Sequence, residues 1–432
     1  MDIRHSQGED GEQAVNTIAF NTYLKYWCYP NPKDERGSKK EICDLLILFK
    51  ETAIIVSIKN YSFKGDYEKY FRSTLEKAIS QVDGAERKLF QNIKDVYIKH
   101  PDLDEICFNP LQYRNVFRLI INLNTSPLFY PSGNRNSKGK YIHIFNWFAF
   151  LKVVQELDTI PDFVHYLKIR EEAFSEKHTL IMNGKEEDWD SHTVKEFRKY
   201  MKYYNPSEKV GILLSGNELD LLADYYFNEK KFNKEIYSKE YNMLSLELDG
   251  EWERYISLKE VQRKKKDDKA SYFVDEFIKR EVLYKNDKYN LEIATELLSL
   301  SRFERRIFGK HFLEFCEKYQ NKDDYFIARR YGKINETVFC FLFHGHIMPQ
   351  DIILKLMNIA MEGYCLWDKY QSKKIILISV SNKIADFKCA FLKDIERFSK
   401  EDEEILIHDL KVLNWFQNFE SIVFNIKEYP DQ

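Results

Sequence analysis

Three residues near the start of the chain have side chains and spacing suited to hydrolytic chemistry: Asp44 in EICDLLILF, and Ser57 and Lys59 in IVSIKN. Two short apolar runs, Ile42 to Phe49 and Ala53 to Ile58, flank Lys50-Glu51-Thr52; their brevity and β-branched content predict a hairpin of buried strands. Such a hairpin sets the start of its first strand, where Asp44 sits, beside the end of its second. Ser57 and Lys59 then share one face of the second strand, roughly 7 Å apart, while Ile58 turns to the core. A carboxylate and an amine converge. Phosphodiester hydrolysis needs hard oxygen ligands for a divalent metal and a cation near the attacking water or the scissile phosphate. Asp44 and Lys59 are of the right type for those roles. A charge between Cys43 and the Leu45–Leu48 run is costly to bury without a partner or a metal, which weighs toward function for Asp44. Lys59 alone reads equally well as a solvated strand end, and its pairing with Asp44 raises it.

The elements that must position these residues follow from periodicity. After the polar GEDGEQ, Val15, Ile18, Ala19, Tyr23 and Tyr26 recur at helical spacing, predicting an opening helix that stops before Pro30 and Pro32. Tyr67, Phe71, Leu75, Ile79, Val82 and Leu89 form one helical stripe after the hairpin. Strands are predicted at Val116 to Leu123 and Tyr141 to Phe145, then helices at Trp147 to Leu157 and Ile160 to Phe174. The expected fold class is α/β and multi-domain. Residues 1–175 form an N-terminal mixed sheet flanked by helices, 176–304 a helical linking domain rich in patterns such as EVQRKKKDDKASYFVDEFIKREVLY, and 305–432 a C-terminal α/β domain.

At Asp44, Ser57 and Lys59 the chain resembles the PD-(D/E)XK nuclease superfamily, which places an Asp on one strand and Glu-x-Lys on the next. The resemblance implies a restriction-endonuclease-like N-terminal sheet with Mg²⁺ or Mn²⁺ as cofactor. It makes Asp44 the metal-binding acid and the Ile58 carbonyl a main-chain metal ligand. Lys59 orients or deprotonates the water, and Glu12, in GEDGEQAV, is the acid that many members carry on their first helix. Gln81, in EKAISQVDGAERKL, matches a glutamine that faces the site in some members, and Lys77, one turn earlier on the same face, is placed to meet phosphate. Two positions depart from the pattern. Ser57 stands where the superfamily has Glu or another strong ligand, and Ala85 leaves the Gln-x-x-x-Tyr pattern of one subgroup incomplete. Taken alone, Glu12 is also an ordinary acid at a helix start, and Gln81 an ordinary surface residue.

Composition narrows the rest. The 432 residues, 44% hydrophobic and 31% charged, suit two or three globular domains and exclude long disorder. A net charge of −3 removes any global field for nucleic acid, so a binding site must be a local patch. The seven cysteines are scattered without CxxC spacing and read as buried thiols of a reducing cytoplasm. No apolar leader or run of about 18 apolar residues is visible, so membrane association is not expected. His344 and His346 have strand-like spacing but read as a loop-end pair, and RKKKDDK at Arg263 to Lys269 as a solvated helix face. A Ser57/Lys59 hydrolase dyad lacks an oxyanion motif, and no Walker-type loop is present. The expected function is a metal-dependent nuclease acting on DNA before RNA, in the manner of a prokaryotic restriction or anti-phage defence effector. Its partners are nucleic acid and either a second copy of the chain or a defence protein. The alternative is a degenerate nuclease fold that binds nucleic acid or protein without cutting.

Overall fold

The computed structural model describes residues 10–18, 25–92, 94–124, 127–184, 186–204, 211–284, 287–382, 386–417, 419, 423 and 425–430. The chain is a mixed α/β protein that divides into two compact units, Met1–Val261 and Gln262–Gln432. No helix among the described residues is long and apolar enough to cross a membrane.

In the first unit, helix α1 (10–18) buries Ala14, Val15 and Ile18 and leaves Glu12 exposed. Strands β1 (Cys28–Pro30), β2 (Leu45–Phe49) and β3 (Thr52–Lys59) follow, the last two forming the expected antiparallel hairpin with Leu45 opposite Val56. All five residues of β2 are buried, as a strand covered on both faces requires. The long helical stripe is broken. A short helix α2 (Tyr67–Lys69) passes into a π-helical stretch, Tyr70–Glu76, before α3 (Lys77–Phe90). The wider turn shifts the inward stripe by one residue, so Ala78 is buried and Ile79 only half so. After a small hairpin, β4 (Val96–Ile98) and β5 (Ile106–Phe108), come β6 (Asn115–Asn122), β7 (Phe129–Pro131), β8 (Gly133–Arg135) and β9 (Tyr141–Asn146). The main sheet has the order β1-β2-β3-β6-β9-β8, with β3, β6 and β9 mutually parallel. Helices α4 (Trp147–Glu156) and α5 (Ile160–Phe174) follow, each opened by a side-chain cap, from Asn146 and Thr159.

The middle of the chain departs from the expected helical linker. Strands β10 (His178–Met182), β11 (Gly211–Ser215) and β12 (Met243–Glu247) form a parallel sheet, linked by α6 (Ser191–Tyr204) and by α7 (Glu218–Phe227) with α8 (Lys234–Tyr237), and followed by α9 (Glu251–Ser257). Their fourth strand is β7, antiparallel to β10. The segment Phe129–Arg135 thus leaves one sheet and enters the other at Ser132, whose amide bonds Thr179 and whose carbonyl receives Ile144. The fully buried Arg170 of α5 clamps this crossing. It donates to the Ser132 carbonyl at 2.7 Å and to Glu218 of α7 at 2.6 Å, and Glu218 also accepts from Tyr166. A boundary near residue 175 would cut this network, which is why the first unit runs on to Val261.

In the second unit, helices α10 (Lys259–Asp267, which begins just before the boundary), α11 (Tyr272–Phe277), α12 (Lys288–Leu298) and α13 (Arg302–Tyr319) precede a four-stranded sheet. The rest of the expected linker therefore belongs with the C-terminal sheet, not between domains. Strands β13 (Ala328–Ile334), β14 (Thr337–His344), β15 (Lys374–Ser381) and β16 (Lys388–Lys393) lie in that order, with β14 and β15 parallel around α14 (Gln350–Trp367), and α15 (Lys400–Val412) follows. Alternation along β14 sorts the faces. Phe339 and Phe341 meet Phe308 and Phe312 of α13, while Val338, Cys340 and Leu342 pack with α14. The edge strand β16, half-exposed along most of its length, was not expected from the sequence.

Candidate active site

The site begins where β2 has not yet started and β3 is about to end. The Asp44 carboxylate accepts the Ile58 amide at 2.5 Å, continuing with a side chain the ladder that Leu45 and Val56 begin in the main chain. The Asp44 carbonyl is held in turn by the Asn31 amide at 2.9 Å. On the far side of β3, the Lys59 carbonyl accepts from Leu123 at 2.8 Å. Successive carbonyls of a strand alternate, so the Ile58 carbonyl turns the other way, toward the edge occupied by Asp44.

Lys59 and Ser57 face α3. The Lys59 amine and, at 3.3 Å, the Ser57 hydroxyl both donate to the Gln81 Oε1. Ser57 is buried, Lys59 half-buried and Gln81 exposed, so the group lies at the rim of the sheet. Lower on the same face, Arg118 of β6 grips Glu86 of α3 through two 2.6 Å bonds and fixes the helix against the strands. Burial lowers the Lys59 amine below the ordinary lysine value, opposed by the charges of Asp44 and Glu41.

Glu41 is the residue that sequence reasoning missed. It sits in the loop between β1 and β2, pinned by its bridge to Lys33 and by the Ile42 amide on the Pro32 carbonyl at 2.8 Å. Its position is exposed, yet enough protein surrounds its carboxyl to push it above the ordinary glutamate value. The charge of Asp44 and a hydrogen bond shared with Asp44 add to that rise, against Lys33 and Lys59. The signal was an acid three residues before Asp44 in KKEICD, hidden among loop charges. Asn122 was missed as well. It ends β6 in register with Lys59, and its buried carboxamide has no hydrogen-bond partner at either atom among the described residues.

The other expected residues fall outside this group. Glu12 is exposed on α1 and is not one of the carboxylates acting on Lys59. Lys77 is exposed at the start of α3, one turn before Gln81. His346 bonds Asp324, in the connection before β13, at 2.8 Å, and His344, the last residue of β14, the Gly345 carbonyl at 3.0 Å. Within the basic run, Lys264 bonds Asp268, Asp267 meets Lys310 and Asp268 also meets Arg306, so it is laced into the second unit.

No protein-family model, curated protein or solved structure matches the chain.

A divalent metal fits the donor set at β2 and β3. The Asp44 and Glu41 carboxyls come close enough to share a hydrogen bond, and the Ile58 carbonyl turns to the same edge. No cluster of three or more His, Cys, Asp or Glu residues occurs among the described residues. Two carboxylates and a main-chain oxygen are the groups that could hold an ion such as Mg²⁺, which keeps several waters.

Proposed function

We propose that the first unit hydrolyses phosphodiester bonds of nucleic acid, DNA before RNA, with Mg²⁺ or Mn²⁺. The observation that carries this reading is the Asp44 carboxylate fixed on the Ile58 amide, with the Lys59 amine presented from the next residue. The antiparallel β2–β3 hairpin, followed through α3 by the parallel strand β6, supports the nuclease resemblance at the level of topology. Asp44, Glu41 and the Ile58 carbonyl would hold the metal, which when bound supplies charge neutralisation at phosphorus and an activated water. Lys59, with its amine biased toward the neutral form by burial, takes a proton from the attacking water at Nζ. Gln81 orients that amine, and Lys77 meets the backbone phosphate beyond it. A prokaryotic restriction or defence role follows by analogy with the superfamily.

One observation favours a second reading. The Ser57 hydroxyl donates to Gln81 where a nuclease would present a carboxylate, as a binding module that no longer cuts would allow. The test is cleavage of plasmid, linear duplex, single-stranded DNA and RNA with Mg²⁺ or Mn²⁺, comparing wild type with Asp44→Ala and Lys59→Ala. Metal-dependent cutting lost in both variants supports the nuclease. Binding without cutting under either metal supports the module.

A further inference from the structure

We propose that the Asn122 carboxamide contacts the substrate in this site, donating through Nδ2 to a non-bridging oxygen of the bound phosphodiester; the inference rests on the nuclease reading above. Parallel register places Lys59, Asn122 and Asn146 side by side across β3, β6 and β9, on one face and at the carboxyl ends of all three strands. That edge is where ligands bind in open α/β sheets.

The two flanking members of the row are engaged. Lys59 donates to Gln81. Asn146 accepts the Ala149 amide at 2.8 Å, capping α4, and donates to the Tyr130 hydroxyl at 3.2 Å. One step beyond, Asn124 donates to Asn60 and closes the end of the row. Asn122 between them is 1% exposed, with neither Nδ2 nor Oδ1 hydrogen-bonded to any described residue.

A buried amide without partners costs free energy that a leucine of the same size would not. Here it lies beside Lys59 in register, and a bound phosphoryl oxygen supplies the missing acceptor. Gln81, the side chain standing over Lys59 and Ser57, is exposed, so rotation about its own bonds opens the floor of the site to the substrate.

The experiment uses the full chain as wild type, Asn122→Leu, Asn122→Asp and Asp44→Ala. Three quantities are read: thermal melting, metal-dependent cleavage of the best substrate, and metal-free binding of a fluorescent oligonucleotide. Asn122→Leu is expected to melt at or above the wild-type temperature, to bind about tenfold more weakly and to cut at least about tenfold more slowly. Asn122→Asp, which turns an anion toward the phosphate, is expected to be worse still. An Asn122→Leu protein that binds and cuts like wild type, while Asp44→Ala does not cut, overturns this inference and leaves the nuclease standing. A wild type that neither binds nor cuts any nucleic acid overturns both.

Discussion

The Asp44 carboxylate and the Ile58 amide, 2.5 Å apart, make the contact on which the candidate site turns, because one hydrogen bond fixes the acid and aligns the residue before Lys59. A hydrogen bond to a charged group contributes about 1.5–3 kcal/mol, so Asp44→Ala should lose stability of that order as well as function. Asp44→Asn keeps an acceptor for the amide and should stay within about 1 kcal/mol of wild type, while lacking the rise in melting temperature that Mn²⁺ is expected to give the wild-type protein. Thermal melts with and without Mn²⁺ check both expectations.

Glu41→Gln removes one of the two carboxyls that face each other across the site. Mn²⁺ affinity, measured by calorimetry, should fall by about tenfold to a hundredfold. In the wild type the Glu41 carboxyl titrates above its ordinary value. Affinity should therefore keep rising with pH beyond the usual carboxylate range, and that late rise should be absent in Glu41→Gln.

Lys59 supplies a second pH dependence. Its amine loses the proton below the ordinary lysine value, so single-turnover cleavage should rise with pH through that lowered value and level off before the usual lysine range. Linkage has the same sign. Between the lowered folded value and the ordinary one, the unfolded chain holds a proton that the folded chain has lost, and stability rises with pH across that window. Lys59→Met should flatten both profiles.

His143 of β9 is fully buried with neither ring nitrogen hydrogen-bonded among the described residues, and burial, with Arg170 and Arg118 adding to it, holds it well below the ordinary histidine value. Below about pH 6.5 the unfolded histidine takes up a proton that the folded one refuses. Stability should therefore fall as pH drops from about 7 toward 5, and His143→Phe should weaken that dependence in thermal melts.

The Arg170–Glu218 pair is a structural clamp, not part of the site. Replacing either partner alone leaves a buried charge unpaired, and urea unfolding should show a loss of about 3–5 kcal/mol. The double variant Arg170→Leu/Glu218→Leu should recover most of it, and a double-mutant cycle measures the coupling.

What the sequence determined by itself was local. Two dense β-branched runs separated by a charged turn can hardly be anything but a hairpin, and period 2 along β3 put Ser57 and Lys59 on one face with Asp44 opposite. Gln81 came only from the family resemblance, since by its own spacing it read as an ordinary surface residue of the helix. Tertiary structure decided the rest. Glu41 reaches Asp44 only because the β1–β2 loop folds back through the Lys33 bridge, and Asn122 joins Lys59 only through the register of strands far apart in sequence. The middle sheet was hidden because its strands are five residues long and its fourth strand comes from Phe129–Pro131, well upstream. Periodicity records which face of an element is buried, but which distant element buries it is settled when chains pair and pack.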